Sequence, residues 1–189
     1  MNLRRFFIAI FVVAMCTTQV FASIYSDSFS NDEKIRAALV MLEKVKADEV
    51  FDNLSKNSVK IAFYDLSQIS YDYMTHFAIN SVDSFGNRYI LINTKYKNAS
   101  TEEIACLIAH ESCHTKAVAT LEEEVHATET EAYYWQKLKD ETKTYKSSKL
   151  LDRLNNLEAL QNGSSKDKNL IVERIISSSF YVNQLAIVR

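Results

Sequence analysis

The sequence predicts a single α+β domain in which a small antiparallel or mixed sheet lies against several helices. Helices are expected because apolar residues recur at helical spacing in the N-terminal third of the chain and again around residue 110. A sheet is expected because segments rich in β-branched and aromatic residues occupy positions 59–66, 76–82 and 88–96. With 189 residues, the chain is long enough for one domain with a buried core.

The first 22 residues are expected to be a secretory signal peptide. Arg4 and Arg5 precede an apolar run over residues 6–15, and the segment closes on Val-Phe-Ala, after which we expect cleavage. The apolar run is too short for a comfortable membrane span, so no stable span is expected after removal of the signal. Residues 23–189 would then be an exported domain, either periplasmic or secreted.

Cys16 suggests a second processing route, in which a lipid is attached to this cysteine and the protein becomes a lipoprotein. Met15 stands directly before it, where that processing normally has Gly or Ala. Simple cleavage is therefore favoured, and Cys16 is expected to leave with the signal peptide.

The charge of the remaining chain argues against nucleic acid as the main partner. Without Arg4 and Arg5, 20 basic residues stand against 24 acidic ones, and the basic residues form no clustered stripe.

Residues 31–54 are predicted to form the first helix, with one apolar and one charged face. The apolar face comprises Ile35, Ala38, Leu39, Leu42 and Val45. The three strand-like segments follow, and Asp-Ser-Phe-Gly-Asn at positions 83–87 predicts the turn that joins the last two into a hairpin.

Residues 101–119 are predicted to form the next helix, which contains the sequence HESCH at positions 110–114. Ser100 and Glu103 have the spacing of a capping box at its start. Apolar helical spacing continues from Ile104 through the motif to Ala117, with no Gly or Pro to interrupt it.

The HESCH sequence predicts a zinc site with a hydrolytic function. On a helix, His110 and His114 lie one turn apart, so both rings point from the same face toward one ion. Glu111 is turned roughly 100° around the axis and can reach a water molecule on the metal. The motif thus supplies two ligands, His110 and His114, and one general base, Glu111, which takes the proton and later delivers it to the leaving amine.

A catalytic zinc ion normally has three protein ligands, so the third must come from downstream. Residues 121–135 predict a second helix rich in donors, and its small Ala127 and Ala132 permit close approach to the first. The donors of this helix include Glu123, Glu124, His126, Glu129 and Glu131. Spacing alone does not decide which of them is the third ligand. Most of these side chains must lie on a solvated face of the helix.

At this point the chain resembles the gluzincin clan of zinc metallopeptidases, in which HExxH is followed on a second helix by a glutamate ligand within ExxA or ExxxD. Residues 124–127 match ExxA, so the resemblance implies Glu124 as the third ligand beside His110 and His114. The short gap between His114 and Glu124 is most similar to the small bacterial minigluzincins. The resemblance covers residues 58–135 and implies a zincin-like fold, Zn²⁺ as cofactor and a peptide or protein as substrate.

The chain departs from the family pattern at one position. Many relatives have an acid four residues after the glutamate ligand to support a histidine, whereas this chain has Thr128. Glu131, two turns after Glu124, is the candidate replacement. The related metzincin pattern HExxHxxGxxH is excluded by Ala117 and Thr120.

Residues 89–93, which directly precede the metal helix, are the candidate for an exposed sheet edge along which an extended substrate pairs. An ordinary hairpin strand is the alternative. The donor that stabilises the oxyanion is left open among five side chains. These are Tyr71, Tyr73, His76, Tyr133 and Tyr134.

Cys106 and Cys113 are expected to be packed thiols, because on a straight helix their Cα atoms would lie about 10 Å apart, beyond disulfide reach. Contact of Cys113 with the metal is the alternative.

Residues 144–189 predict an antiparallel helix pair with a break at Asn162-Gly163, packed on the catalytic core rather than forming a partner surface.

Two functions from different classes follow from these patterns. The first is an exported zinc-dependent peptidase. The alternative is an exported helical binding or inhibitory protein with a non-catalytic or structural zinc site.

Overall fold

The computed structural model describes residues 26–115, 119–163, 170–173 and 175. These residues form an α+β arrangement of one three-stranded mixed sheet and several helices, as the sequence predicts at this coarse level. The expected signal peptide and Cys16 lie outside the described residues, as does most of the chain after Gly163.

Two short helices occupy the region where the sequence predicts one helix over residues 31–54. Helix α1 (Glu33–Lys44) is followed at once by helix α2 (Asp48–Lys56). The carboxylate of Asp32 caps the start of α1 by accepting hydrogen bonds from the backbone N–H groups of Lys34 and Ile35. Four residues of the predicted apolar face, Ile35, Ala38, Leu39 and Leu42, are buried as expected, whereas Val45 follows the end of α1 and is half-buried.

The break between α1 and α2 lies at Lys46, which has a φ of 57° in the left-handed region. The N–H of Lys46 donates to the carbonyl of Glu43, and the N–H of Ala47 donates to the carbonyl of Leu42. This pair of bonds is the Schellman arrangement, which usually has Gly at the left-handed position. The prediction of one continuous helix was wrong because the helix ends at a lysine, whereas a glycine at this position would have indicated the break.

The sheet consists of β1 (Lys60–Tyr64), β2 (Ala78–Val82) and β3 (Arg88–Asn93) in the order β1-β3-β2. Strand β1 runs parallel to β3, and β2 runs antiparallel to it. All three strands fall within the predicted segments. The segments are longer than the strands because their flanking residues form short 3-10 helices at Leu66–Gln68, Tyr71–Thr75 and Thr94–Tyr96.

Strand β3 is the central strand, so the expectation that residues 89–93 form an exposed edge was wrong. The register pairs Ile90 with Ile61 of β1 on one side and with Asn80 of β2 on the other. Both ladders are therefore occupied. Among the described residues, the outer side of β2 is paired with no strand, and β2 is the edge that lies beside the HESCH helix.

The hairpin turn is found where the sequence predicts it. The N–H of Asp83 donates to the carbonyl of Asn87, and Gly86 has a φ of 85° that suits glycine. The carboxylate of Asp83 also accepts hydrogen bonds from the N–H groups of Phe85 and Asn87. These bonds fix the register of β2 against β3.

Helix α3 (Thr101–Ser112) carries most of the HESCH motif and begins with the predicted capping box of Ser100 and Glu103. It ends at Ser112, so the prediction that it continues to residue 119 was wrong. Helix α4 (Leu121–Leu138) follows, capped by a second box formed by Thr120 and Glu123. Residues 116–118 lie outside the described part of the chain.

Helix α5 (Lys149–Gln161) is the first member of the predicted C-terminal pair and packs against α4. Residues 170–173 and 175 are also helical, with Ile171 and Ile175 buried. The rest of the predicted second helix lies outside the described residues.

Helix α3 is buried almost all round, between α1, α4 and the sheet. Ile104 and Ile108 of α3 are fully buried with Ile90 and Ile92 of the central strand. This packing fixes the last turn of α3, which carries the motif, inside the domain. None of the described helices has both the length and the apolar character of a bilayer-spanning segment.

Candidate metal centre

The structure brings His110, His114 and Glu124 together, with ligand atoms that all lie within 4.8 Å of one another. The Nε2 atom of His110 lies 3.8 Å from one carboxylate oxygen of Glu124, and the Nε2 atom of His114 lies 3.5 Å from the other. The imidazole rings have centroids 5.2 Å apart. The two rings therefore converge on one carboxylate rather than diverge.

These distances are compatible with a metal ion held between the three side chains. Two donors that each lie about 2.1 Å from a tetrahedral zinc ion are themselves about 3.4 Å apart. The observed 3.5 and 3.8 Å are close to this spacing. Two imidazoles and one carboxylate also form a donor set that zinc accepts readily.

Glu111, the predicted general base, is buried beside these residues with 7% of its surface exposed. Burial raises the pKa of Glu111 to about 7; the positive charge of His110 opposes this shift, while Glu124 and Glu131 reinforce it. Glu111, Glu124 and Glu131 thus share one low-dielectric site with a single guanidinium, that of Arg153. With His110 neutral and all three carboxylates ionised, two negative charges would be left over, which a divalent cation would balance.

His110 is held from behind by Glu131, whose carboxylate oxygen lies 3.0 Å from Nδ1 of the ring. This contact leaves Nε2 directed toward Glu124, which is the usual arrangement of a carboxylate behind a metal-binding histidine. Burial disfavours a charge on His110, but the adjacent carboxylate of Glu131 raises its pKa overall. Glu131 therefore supplies the supporting carboxylate that relatives of the family carry at the position of Thr128.

Glu131 is fully buried and is itself held by Arg153 of α5. The Nε atom of Arg153 donates to both carboxylate oxygens at 3.0 and 3.3 Å, and Nη2 donates to Oε2 at 2.7 Å. Burial alone would raise the pKa of Glu131, but Arg153 and His110 lower it to about 2. Sequence reasoning missed Arg153, because nothing in the spacing of α5 connects it with a motif 40 residues earlier.

His114 lies just beyond the end of α3, and its main chain is held by side chains from the hairpin. The Nδ2 atom of Asn80 donates to the carbonyls of Glu111 and His114, at 3.2 Å in each case. The guanidinium of Arg88 donates to the carbonyls of His114 and Thr115. Burial and the neighbouring charge of His110 lower the pKa of His114 to about 4, which keeps its ring neutral, as a metal ligand must be.

The other candidate ligands lie elsewhere. Glu123 closes the capping box of α4 and accepts a hydrogen bond from the hydroxyl of Thr115. His126 is exposed and lies 3.1 Å from Glu49 of α2. Glu129 is exposed on the surface of α4.

The candidate oxyanion donors are spread over the domain. Tyr71 and Tyr133 are 78% and 45% exposed, and Tyr134 packs edge-on against Tyr133. Tyr73 packs in the same way against His76. The oxyanion donor therefore stays an open assignment.

Cys106 and Cys113 are both buried free thiols, as predicted. The thiol of Cys113 donates to the carbonyl of Ala109, and burial raises its pKa to about 11. A protonated, hydrogen-bonded thiol supports the packing role rather than metal contact.

Comparison of the chain with protein-family models, with curated proteins and with solved structures gives no match. The resemblance to gluzincins therefore rests on the motif residues and their geometry alone.

Proposed function

We propose that this chain is an exported zinc-dependent peptidase of the gluzincin type, with a zincin-like core and a site of action in the periplasm or outside the cell. The observation that carries the proposal is the convergence of His110, His114 and Glu124 beside the buried carboxylate of Glu111. Gluzincin chemistry needs these four side chains, and here they come from α3, from the residues just after it and from α4.

A zinc ion held by the three ligands would polarise the scissile carbonyl and lower the pKa of a water molecule toward about 7. Glu111 accepts the proton of the attacking water and passes it to the nitrogen of the leaving amine. Burial of Glu111 favours its uptake of a proton, which suits the first of these steps.

The outer edge of β2 is the proposed binding site for an extended peptide substrate. The N–H of Asn93 donates to the carbonyl of Phe77, which sets the alternation of the antiparallel ladder. In this alternation the main-chain groups of Ala78, Asn80 and Val82 point away from β3. A peptide pairing with them would pass beside the carbonyl end of α3, where the motif lies.

A second candidate function is a binding or inhibitory protein with a structural zinc site. It is favoured by the burial of all three ligands, each of which is less than 10% exposed. Structural zinc sites are closed, whereas catalytic sites keep one position open for water or substrate.

The two functions differ in turnover, so the test is cleavage together with metal content. The purified chain should contain about one zinc ion and should cleave an unstructured protein such as reduced casein in a chelator-sensitive manner. Glu111→Gln should retain zinc and lose cleavage, because the ligands are intact and the base is gone. His110→Ala should lose both. Zinc without turnover would favour the structural site, and cleavage by Glu111→Gln at the wild-type rate would overturn the general-base assignment.

A further inference from the structure

We infer that Asn80 and Arg88, both in the β2–β3 hairpin, are positioning residues that hold His114 in place as a metal ligand. Their hydrogen bonds go to the main chain around His114 rather than to its ring. The inference rests on the metal site of the proposed function, but it does not depend on peptide cleavage.

His114 needs such support because the hydrogen-bond ladder of α3 does not extend to it. The last helical residue is Ser112, and the N–H of His114 reaches back only to the carbonyl of Glu111, at 3.3 Å. Carbonyls at the end of a helix have no donors within the helix. Without outside donors, the end of α3 would fray at the second ligand of the motif.

Asn80 supplies the first of these donors. Its amide nitrogen carries two hydrogens, and the two carbonyls that it reaches belong to Glu111 in the last turn and to His114 beyond it. One side chain therefore ties the main chain of the ligand to the main chain of the general base. A loss of this tie would free the ligand without removing any metal-binding atom.

Arg88 supplies the second set of donors and a charge. Its guanidinium reaches the carbonyl of His114 at 3.4 Å and also contacts the carbonyl of Thr115. A cation at the carboxyl end of a helix interacts favourably with the helix dipole. The planar fork of arginine can serve two neighbouring carbonyls at once, which the single ammonium of lysine does less well.

Both residues are fixed by the register of the same hairpin, since Asn80 pairs with Ile90 and Arg88 pairs with Val82. The two histidine ligands are thus held from different sides. Glu131 of α4 orients the ring of His110, and the sheet holds the main chain of His114. The hairpin is therefore part of the metal centre, although it contributes no ligand.

The inference is tested by the affinity for Zn²⁺ alone, measured by competition with a chelating dye. Asn80→Leu keeps the size of the side chain and removes the donor. We expect it to weaken Zn²⁺ binding at least about 10-fold, as is typical for residues that support metal ligands. Asn93→Leu is the matched control, because Asn93 also lies in the sheet and donates to two carbonyls, those of Met74 and His76. Its Zn²⁺ affinity should stay within about twofold of wild type.

A second pair of variants covers the case in which Asn80→Leu does not fold. Arg88 lies at the start of its strand and is only half-buried, so Arg88→Met should fold and should also weaken Zn²⁺ binding. Arg88→Lys should recover part of the loss because it keeps the charge. In folded variants loaded with Co²⁺, the visible spectrum should shift for Asn80→Leu and Arg88→Met but not for Asn93→Leu.

The inference would be overturned if Asn80→Leu or Arg88→Met bound Zn²⁺ with wild-type affinity, or if Asn93→Leu weakened binding equally. A wild-type chain that binds Zn²⁺ but cleaves nothing would overturn the proposed peptidase and leave the positioning role standing. A wild-type chain that binds no Zn²⁺ would overturn both.

Discussion

Replacement of Arg153 by Met should expose how strongly the domain depends on a buried charge pair behind the metal centre. Arg153 makes three hydrogen bonds to Glu131, which has no exposed surface. Removal of the guanidinium leaves a buried carboxylate whose remaining cationic neighbour, among the described residues, is His110. The carboxylate must then either keep its charge without compensation or take up a proton on folding.

The size of the effect follows from the pKa of Glu131. Its ordinary value is 4.5, and Arg153 and His110 lower it to about 2 against the effect of burial. This difference corresponds to about 3 kcal/mol of folding stability at pH 7. Loss of one partner of a buried pair typically costs 3–5 kcal/mol, so we expect Arg153→Met to lose about 3–5 kcal/mol at pH 7.

The dependence on pH has a definite sign. A carboxyl group whose pKa is lower in the folded state binds more protons when unfolded, so its contribution is complete well above pH 4.5 and is lost as the pH falls toward 2. The stability difference between wild type and Arg153→Met should therefore shrink as the pH falls from 7 to 3.

The assay is urea unfolding at pH 7 and at pH 3 with a chelator present, so that metal binding does not contribute. Lys139→Met is the matched control, because Lys139 pairs with Glu158 and also connects the end of α4 to α5. It should cost no more than about 1 kcal/mol, since Lys139 is partly exposed. The double variant Arg153→Met/Glu131→Gln should recover much of the loss at pH 7. An Arg153→Met variant as stable as wild type at pH 7, or a difference that does not change with pH, would refute the reasoning.

Two further predictions concern the third ligand and the break between α1 and α2. Glu124→Gln should weaken Zn²⁺ binding by more than the roughly 10–100-fold loss that is typical of residues supporting a ligand. Glu123→Gln can still close the capping box and should bind Zn²⁺ normally in the same dye competition. Equal losses in the two variants would contradict the assignment of Glu124. Lys46→Gly should raise the free energy of unfolding by about 0.5–1 kcal/mol, because glycine adopts a φ of 57° without strain. Lys44→Gly inside α1 should lower the free energy of unfolding. A Lys46→Gly variant that is less stable in urea would show that the left-handed φ of Lys46 does not cost stability.

The parts of the fold that could be predicted from sequence are those that local residues determine. The capping box of Ser100 and Glu103 starts α3, and the Asp83–Asn87 turn joins β2 to β3, as expected from their own residues. His110 and His114 also come together as their spacing predicts, although His114 lies just beyond the end of α3 rather than on the helix. The position of Glu124 came from the resemblance to a family, and the geometry is compatible with it.

The features that sequence reasoning missed depend on residues far apart in the chain. Helix α3 ends at Ser112, and the main chain at and beyond its end accepts hydrogen bonds from Asn80 and Arg88, neither of which lies near the motif in sequence. The order of the strands places β3 in the centre through a parallel pairing with β1, which no local pattern specifies. Arg153 reaches Glu131 only because α5 packs on α4.

The central claim is most directly tested by a crystal structure of the zinc-loaded protein with anomalous data at the zinc edge. One anomalous peak is expected about 2.1 Å from Nε2 of His110, Nε2 of His114 and a carboxylate oxygen of Glu124. Glu131 should remain behind His110, and Glu111 should lie next to the fourth position. A peak elsewhere, or a zinc ion bound by the two histidines with Glu124 turned away, would contradict the account.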